Sequence, residues 1–168
     1  MEQQIITQLA QHLVLFRQLF ADVPQDMIHW KKDDHQWCLL EIVCHLKDIE
    51  KEDFGYRTKH CLMTPEKPFP PIFPVKWVKE RKYIEQDFTA TVNAFLKERQ
   101  HSINWLQALE TPNWQSAVEH PDFGPQSARF YLTNWLAHDH LHIRQITRTK
   151  YQYLADKGGY PLNYAGKW

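Results

Sequence analysis

The sequence predicts an all-α fold, a bundle of four helices around one core. Three observations favour this fold. Apolar residues recur at intervals of three and four over four long segments, as on the buried face of a helix. No segment keeps the alternation of apolar and polar residues that indicates a strand. The 168 residues suit a single domain covering positions 1–168, large enough to bury a substantial core.

The first helix is predicted from Glu2 to Phe20, where the apolar residues share one face. Residues 21–34 include Pro24 and several polar side chains, so they are predicted to form a connection. The second helix is predicted over residues 37–63, with His45 on its flank. From the first connection, the side chains expected to fold back on the core are Met27, Ile28 and Trp30.

Residues 64–74 are predicted to form a long extended crossover, because their density of proline excludes a helix. The third helix is predicted over residues 79–109, and residues 111–125 form a second long connection. The fourth helix should open at Gln126 or Ser127 and end at the glycine pair 158–159. The tail at residues 160–168 is rich in aromatic residues and is expected to pack on the body of the protein.

Charge and composition narrow the class of protein. Lys and Arg total 20 and Asp and Glu total 20, so no basic face for nucleic acid is expected. The apolar runs are too short to span a membrane, and no signal-peptide pattern is visible at the N-terminus, so a cytoplasmic protein is expected. Cys38, Cys44 and Cys61 indicate neither a disulfide framework nor a cysteine-type zinc site.

The fourth helix carries the most informative cluster, three histidines within five residues. His138 and His142 are four residues apart, which places both imidazoles on one helical face where they could share a metal ion. His140 points away from this face. Two ligands do not close a site, so the pair is read either as surface histidines or as part of a metal centre that takes a third ligand from another helix.

His45 is the candidate third ligand, because it lies deepest in the second helix and metal sites in bundles use inward side chains from facing helices. A single histidine on an apolar flank is also typical of hydrogen-bonded packing. His12 and His101 lack supporting neighbours and are interpreted as core packing or surface residues.

Two segments of the predicted second and fourth helices carry motifs. Residues 37–46, WCLLEIVCHL, fit the pattern W-x-x-x-E-x-x-x-H-L. Residues 138–146, HDHLHIRQI, fit the pattern H-D-x-x-H-x-x-Q-I. The two motifs together resemble the signatures of the DinB-like family of metal-binding four-helix proteins. The resemblance extends over the whole chain in helix order and includes the long crossover between the second and third helices.

The resemblance implies an up-down-down-up bundle that holds one divalent ion through His45, His138 and His142. It also implies a homodimer that acts on a small-molecule substrate, with transfer or isomerisation chemistry that uses a low-molecular-weight thiol. Imidazole ligands suit several metals. Zinc is the default, with nickel, iron and manganese as alternatives.

Several neighbours of these motifs have more than one interpretation. Cys38 stands where the family commonly has a capping Ser or Thr, and cysteine caps a helix poorly. Glu41 and Asp139 could orient imidazole N–H groups or could be solvated helix charges. The aromatic residues that could wall the mouth of a site are Trp77, Trp114, Phe123, Tyr160, Tyr164 and Trp168.

Three functions are therefore expected in order. The first is a metal-dependent transferase that passes a thiol to an electrophilic small molecule in a detoxification or stress setting. The second is a metal-binding stress or interaction protein without turnover. The third and weakest is a metal-dependent hydrolase, because no obvious general base accompanies the three histidines. Catalytic residues beyond the metal ligands and residues that bind a thiol are not assigned.

Overall fold

The protein is described here from a computed structural model that covers residues 1–120 and 122–166. Four long helical segments form the bundle, and shorter elements lie in the connections. The helices are α1 (Glu2–Phe20), α2 (Gln25–Ile28), α3 (Leu39–Ile49), α4 (Gly55–Met63), α5 (Pro74–Glu80), α6 (Phe88–Gln107) and α7 (Ala128–Lys157). None of the described helices is both long and apolar enough to cross a lipid bilayer.

The second helix of the bundle consists of α3, one π-helical turn at Glu50–Phe54, and α4. A side chain at Gly55 could not be accommodated, because its Cβ would collide with the backbone oxygen of Glu50. Glycine therefore allows the wider turn to close. π-turns inside α-helices are frequent at functional sites, and this turn directly follows the helix that carries His45.

The four long segments run up, down, down and up, as expected. The first and fourth segments are parallel to each other. The first is antiparallel to the third, and the fourth is antiparallel to the second. The residue pairs that set these directions are Glu2–Arg129 and His12–Asp139 for α1 with α7, Phe20–Phe88 and Phe16–Phe95 for α1 with α6, and Phe54–His138 and Arg57–Tyr131 for the second helix with α7.

The predicted start of the third helix was wrong. Residues 79 and 80 end α5, a 3-10 turn follows at Tyr83–Glu85, and α6 begins at Phe88. Lys82 has a left-handed φ of 47°, which interrupts any continuous helix. The Asp87 carboxylate then accepts a hydrogen bond from the Ala90 backbone N–H at 2.6 Å, a typical helix N-cap.

A two-stranded antiparallel hairpin lies in the connection before α7, where the sequence indicated no strand. Its strands are β1 (Ala117–His120) and β2 (Gly124–Ser127). Strands of four residues are too short to show a persistent alternation. The prediction for the last helix was close, since Ser127 caps α7 by accepting from the Phe130 N–H at 3.2 Å, and Gly158 follows its last residue.

The two chain segments predicted to fold back on the core behave differently. In the first connection Met27 and Ile28 are buried and Trp30 is partly buried, as predicted. The expectation for the C-terminal tail was wrong, because Tyr160 and Tyr164 are 79% and 103% exposed. The last turn of α7 is exposed as well. The tail therefore continues from a part of the helix that lies outside the core. Trp168 lies outside the described residues.

Candidate metal centre

The structure brings His45, His138 and His142 together between the second helix and α7. His138 Nε2 lies 3.2 Å from His45 Nε2 and 3.0 Å from His142 Nε2. One nitrogen from each ring lies within 4.8 Å of the other two. A tetrahedral zinc ion with Zn–N bonds of about 2.0–2.1 Å would hold its nitrogen ligands roughly 3.3 Å apart. Two of the three nitrogen–nitrogen distances match this spacing, and the third is at most 4.8 Å, so the three imidazoles could hold a divalent ion.

Hydrogen bonding among the rings cannot account for this arrangement. His142 Nδ1–H donates to Gln145 Oε1 at 2.8 Å, which leaves only a lone pair on His142 Nε2. A neutral His138 has at most one proton on Nε2 and cannot donate it to both neighbouring nitrogens. His45 Nδ1 is buried and has no hydrogen-bond partner among the described residues. Converging lone pairs of this kind are what a cation requires.

Burial keeps the three rings neutral. His45 and His142 are 8% and 9% exposed. Burial, reinforced by the charge that each imidazole would place on its neighbours, lowers the pKa of His45 to about 4 and that of His138 to about 3. Burial also lowers the pKa of His142. Since metal ligands must be unprotonated, all three are in the binding form at neutral pH.

Aromatic rings and one amide fix the imidazoles. Trp37 contacts His45 with ring centroids 5.0 Å apart, and Phe54 contacts His138 at 5.1 Å. Gln145 selects the tautomer of His142 through the bond to Nδ1. Gln145 was matched to the fourth-helix motif in the sequence, but only the fold shows what its side chain does. Such partners commonly raise metal affinity by orienting the ligand.

Both interpretations offered for Glu41 were wrong. The carboxylate is buried, with the residue 7% exposed, and it accepts the Cys38 backbone N–H at 2.9 Å and pairs with Lys31 at 2.7 Å. It therefore caps the N-terminus of α3, as in a capping box. This compensates for the weak capping of Cys38 and explains why α3 begins at Leu39.

Asp139 is likewise neither solvated nor bonded to a candidate ligand. It is 0% exposed and forms two hydrogen bonds with Arg99, at 2.6 and 2.8 Å. His12 Nδ1 lies 3.1 Å from the same carboxylate. Glu50 completes this buried cluster by accepting from Arg99 Nε at 2.8 Å and from Trp135 Nε1 at 3.0 Å. The sequence analysis missed Arg99, because an isolated arginine in a helix normally indicates a surface position.

The remaining histidines lie outside the centre. His140 is exposed, and its ring lies 4.8 Å from that of His12. His101 is exposed on α6. His12 is partly buried, and its bond to Asp139 gives it a polar partner that the sequence did not reveal.

A surface pocket of about 490 Å³ adjoins the centre and is lined by Leu141, His142, Arg144, Gln145 and Arg148. None of the described aromatic residues that were predicted to wall the mouth lines this pocket. Trp77 and Phe123 line two other pockets, beside the proline-rich crossover, and Trp114 packs against the apolar clusters around Leu132 and Val118. Proximity in sequence to a connection did not indicate proximity to the histidines, because the centre lies midway along α7.

Comparisons with known proteins agree with the four-helix fold. The model of the DinB superfamily matches residues 8–146. The fold is similar to that of YfiT from Bacillus subtilis, with a TM-score of 0.78, 18% sequence identity, and coverage of 90% of this chain and 87% of that chain. YfiT is described as a probable metal-dependent hydrolase with an unusual four-helix bundle topology. No curated protein sequence matches the chain significantly.

Proposed function

The chain belongs to the DinB superfamily, and on that premise we propose that it is a metal-dependent enzyme whose divalent ion is held by His45, His138 and His142. The observation that carries the proposal is the convergence of three Nε2 atoms, from two buried histidines and one partly buried histidine, that hydrogen bonds among the rings cannot satisfy together. Three protein ligands leave a fourth position open, which is typical of catalytic zinc sites and not of structural ones.

We propose transfer of a low-molecular-weight thiol to an electrophilic small molecule as the reaction. A divalent ion held by the three histidines would lower the pKa of a thiol or a water molecule bound at its open coordination position, so that the deprotonated form would be available at neutral pH. The residues of the chain would hold the ion, exclude bulk water from the three rings and place the thiol beside His142, where the pocket opens.

Thiol chemistry is favoured over activation of water because the buried carboxylates of these helices already have ion-pair or hydrogen-bond partners. Glu41, Asp48, Glu50 and Asp139 each pair with a cation or accept from a neutral donor in the described structure. Glu41, Asp48 and Asp139 are therefore not free to act as a general base. Glu50 is held by Arg99 and Trp135 through Oε2, and its Oε1 is buried without a hydrogen-bond partner among the described residues. A thiol, with an ordinary pKa of about 8.5, needs little help to ionise, whereas water needs a much larger shift.

Hydrolysis is the second candidate function, because the similar fold of YfiT is described as a probable metal-dependent hydrolase and a zinc site with three histidines can activate water. A metal-binding protein without turnover is the third. The pocket beside His142 favours turnover, because a purely structural ion needs no access for a small molecule.

The test begins with metal analysis of protein purified without a histidine tag. The metal-loaded and metal-free proteins are then assayed with cysteine, glutathione and coenzyme A against a chloronitroarene electrophile, and separately with activated esters. Metal-dependent conjugation supports the transferase. Metal-dependent ester cleavage without thiol supports the hydrolase. Stoichiometric metal with neither activity supports the non-catalytic protein.

Zinc as the ion and a homodimer as the assembly are part of the proposal. Imidazole ligands are compatible with zinc among several metals, and the homodimer rests on the family resemblance alone. Metal analysis and static light scattering measure them directly.

A further inference from the structure

A second surface pocket, of about 260 Å³, lies where the second helix packs beside α6. None of the described residues that line it is a candidate metal ligand. Gly55, after the π-helical turn, and Ser102 on α6 both line it. Because Gly55 has no side chain and Ser102 has a short one, the groove between the two helices stays open at this level.

The buried Glu50 carboxyl belongs to this pocket and has one oxygen without a partner. Glu50 is 2% exposed and is one of the lining residues. Its Oε2 accepts from Arg99 Nε at 2.8 Å and from Trp135 Nε1 at 3.0 Å. Its Oε1 is buried and has no hydrogen-bond partner among the described residues. Since a buried polar atom in this state is costly, a hydrogen bond completed from the pocket side would be stabilising.

The charges around Glu50 favour a neutral carboxyl with its proton on Oε1. Arg99 and Asp139 already pair through two hydrogen bonds, so an ionised Glu50 would add a second negative charge to a buried cluster. Burial raises the pKa of Glu50, and the Arg99 charge and the Ser102 hydroxyl oppose that rise only in part. Oε2 already accepts two donors, which leaves Oε1 to carry the proton. A buried neutral carboxyl can donate a hydrogen bond.

The rim of the pocket is positively charged. Lys51 and Lys59 are exposed, and no acidic side chain in the described part of the chain forms an ion pair with either ammonium group. The Lys59 ammonium lies 5.8 Å from the centroid of the Trp105 ring, which holds it beside the groove. Among the described lining residues Glu98 is the one acidic group at the rim, and the two ammonium groups outweigh it.

We propose that this pocket binds a small organic anion, a carboxylate attached to a flat apolar group. The carboxylate would accept hydrogen bonds from the Ser102 hydroxyl and from the lysine ammonium groups, whose charge strengthens them. The Ser102 oxygen would then accept from Glu50 Oε1–H, so that the buried donor gains a partner. Trp105, which is partly buried, offers its ring to the apolar group. The volume restricts the ligand to about one ring.

Fluorine NMR measures this binding without any turnover. The zinc-loaded protein is titrated at pH 7.5 with 4-fluorobenzoate, 4-fluorobenzyl alcohol and 4-fluorobenzylamine. We expect the carboxylate to bind at least about tenfold more tightly than the alcohol, the effect of one charge-assisted hydrogen bond or more, and the amine to bind most weakly. The backbone amide signals of Gly55 and Ser102 should shift with the carboxylate. Inorganic phosphate should displace it poorly, because phosphate has no apolar group.

The double variant Lys51→Gln/Lys59→Gln should bind the carboxylate and the alcohol with equal affinity. Lys79→Gln/Lys97→Gln is the matched control, because it removes two positive charges from exposed positions outside the pocket; it should keep the preference. Ser102→Ala should weaken binding of the carboxylate about fivefold, the effect of one lost hydrogen bond. Circular dichroism verifies that the variants are folded.

Equal binding of the carboxylate and the alcohol by the unsubstituted protein, or an unchanged preference in the Lys51→Gln/Lys59→Gln variant, overturns the proposal. Tightest binding of the amine would show that the pocket takes a cation. Displacement by phosphate as readily as by benzoate would overturn the apolar part of the ligand. Amide shifts confined to the surroundings of His142 would place the anion at the metal centre and overturn the second site. Each of these results leaves the proposed function of the metal centre intact.

Discussion

Arg99 on α6 donates two hydrogen bonds to the Asp139 carboxylate on α7, from Nη1 at 2.6 Å and from Nη2 at 2.8 Å. Both side chains are almost wholly buried. Burial raises the pKa of Asp139, but the Arg99 charge outweighs it and holds that pKa below its usual range. Asp139 directly follows His138, so this pair fixes the rotation of α7 that points His138 and His142 toward His45.

Breaking this pair should destabilise the bundle strongly. Among the described residues, Asp139→Leu leaves Arg99 with Glu50 as its one carboxylate partner. Loss of one member of a buried ion pair typically costs about 3–5 kcal/mol. Urea unfolding of the metal-free protein measures the loss. Lys82→Met is the control, because the exposed Lys82–Glu85 pair should contribute less than about 1 kcal/mol. Similar losses in both variants would show that the buried pair has no special role.

Alanine variants should distinguish the three candidate ligands from the neighbouring His140 by their metal content. His45→Ala, His138→Ala and His142→Ala should each lose most of the bound ion, because two imidazoles hold a divalent cation far more weakly than three. His140→Ala should keep one ion per chain, since its exposed ring points toward His12 and away from the centre. Elemental analysis after gel filtration measures the content. Full metal in all three ligand variants would place the site elsewhere.

Gln145 should tune the affinity without supplying a ligand atom. Gln145→Leu removes the acceptor that orients His142, and loss of such a partner typically lowers metal affinity about 10–100-fold. Gln145→Glu retains an oxygen acceptor and should bind at least as tightly as the original protein. Competition with a chromogenic chelator gives both constants. Equal affinity in the leucine variant would contradict the orienting role.

The metal-free protein should become less stable as the pH falls from 7 to 5. The unfolded histidines titrate near their ordinary pKa of 6.5, whereas burial lowers the folded values to about 4 for His45 and about 3 for His138. Below pH 6.5 the unfolded state therefore binds more protons than the folded state, which favours unfolding.

By pH 5 the loss should reach about 1–2 kcal/mol for each of these histidines. Urea midpoints at pH 7.5, 6 and 5 measure it. His138→Leu should reduce the slope between pH 6.5 and 5, and an unchanged slope would show that His138 is protonated in the folded protein.

Removal of the ion should affect activity far more than folding. A core that includes fully buried Trp135, Phe16 and Phe95 is large enough to fold without metal, unlike small zinc domains. A chelator should lower the Tm only by the amount that ligand linkage gives and should abolish turnover. Differential scanning calorimetry with and without chelator measures the shift. A chelated protein that is unfolded at room temperature would identify the ion as structural.

The amino-acid sequence by itself determined the helical class, the proline-rich crossover and the bounds of α1. It also singled out three histidines as candidate ligands. These features are local or periodic. Apolar spacing marks a buried helical face, proline excludes a helix, and two motifs place His45 and the pair His138 and His142 on separate helices. Such features can be predicted without knowing which helices are neighbours.

Only the tertiary structure decided the roles of Asp139, Glu41 and Arg99, the break before α6 and the exposure of the tail. A charged residue in a helix looks the same in sequence whether it faces water or a partner on another helix, and burial is decided by that partner. Arg99 is stable inside the bundle because packing brings Asp139 and Glu50 to it across the core. The convergence of the three imidazoles depends on the same packing, since it requires the second helix and α7 to lie antiparallel at one particular register.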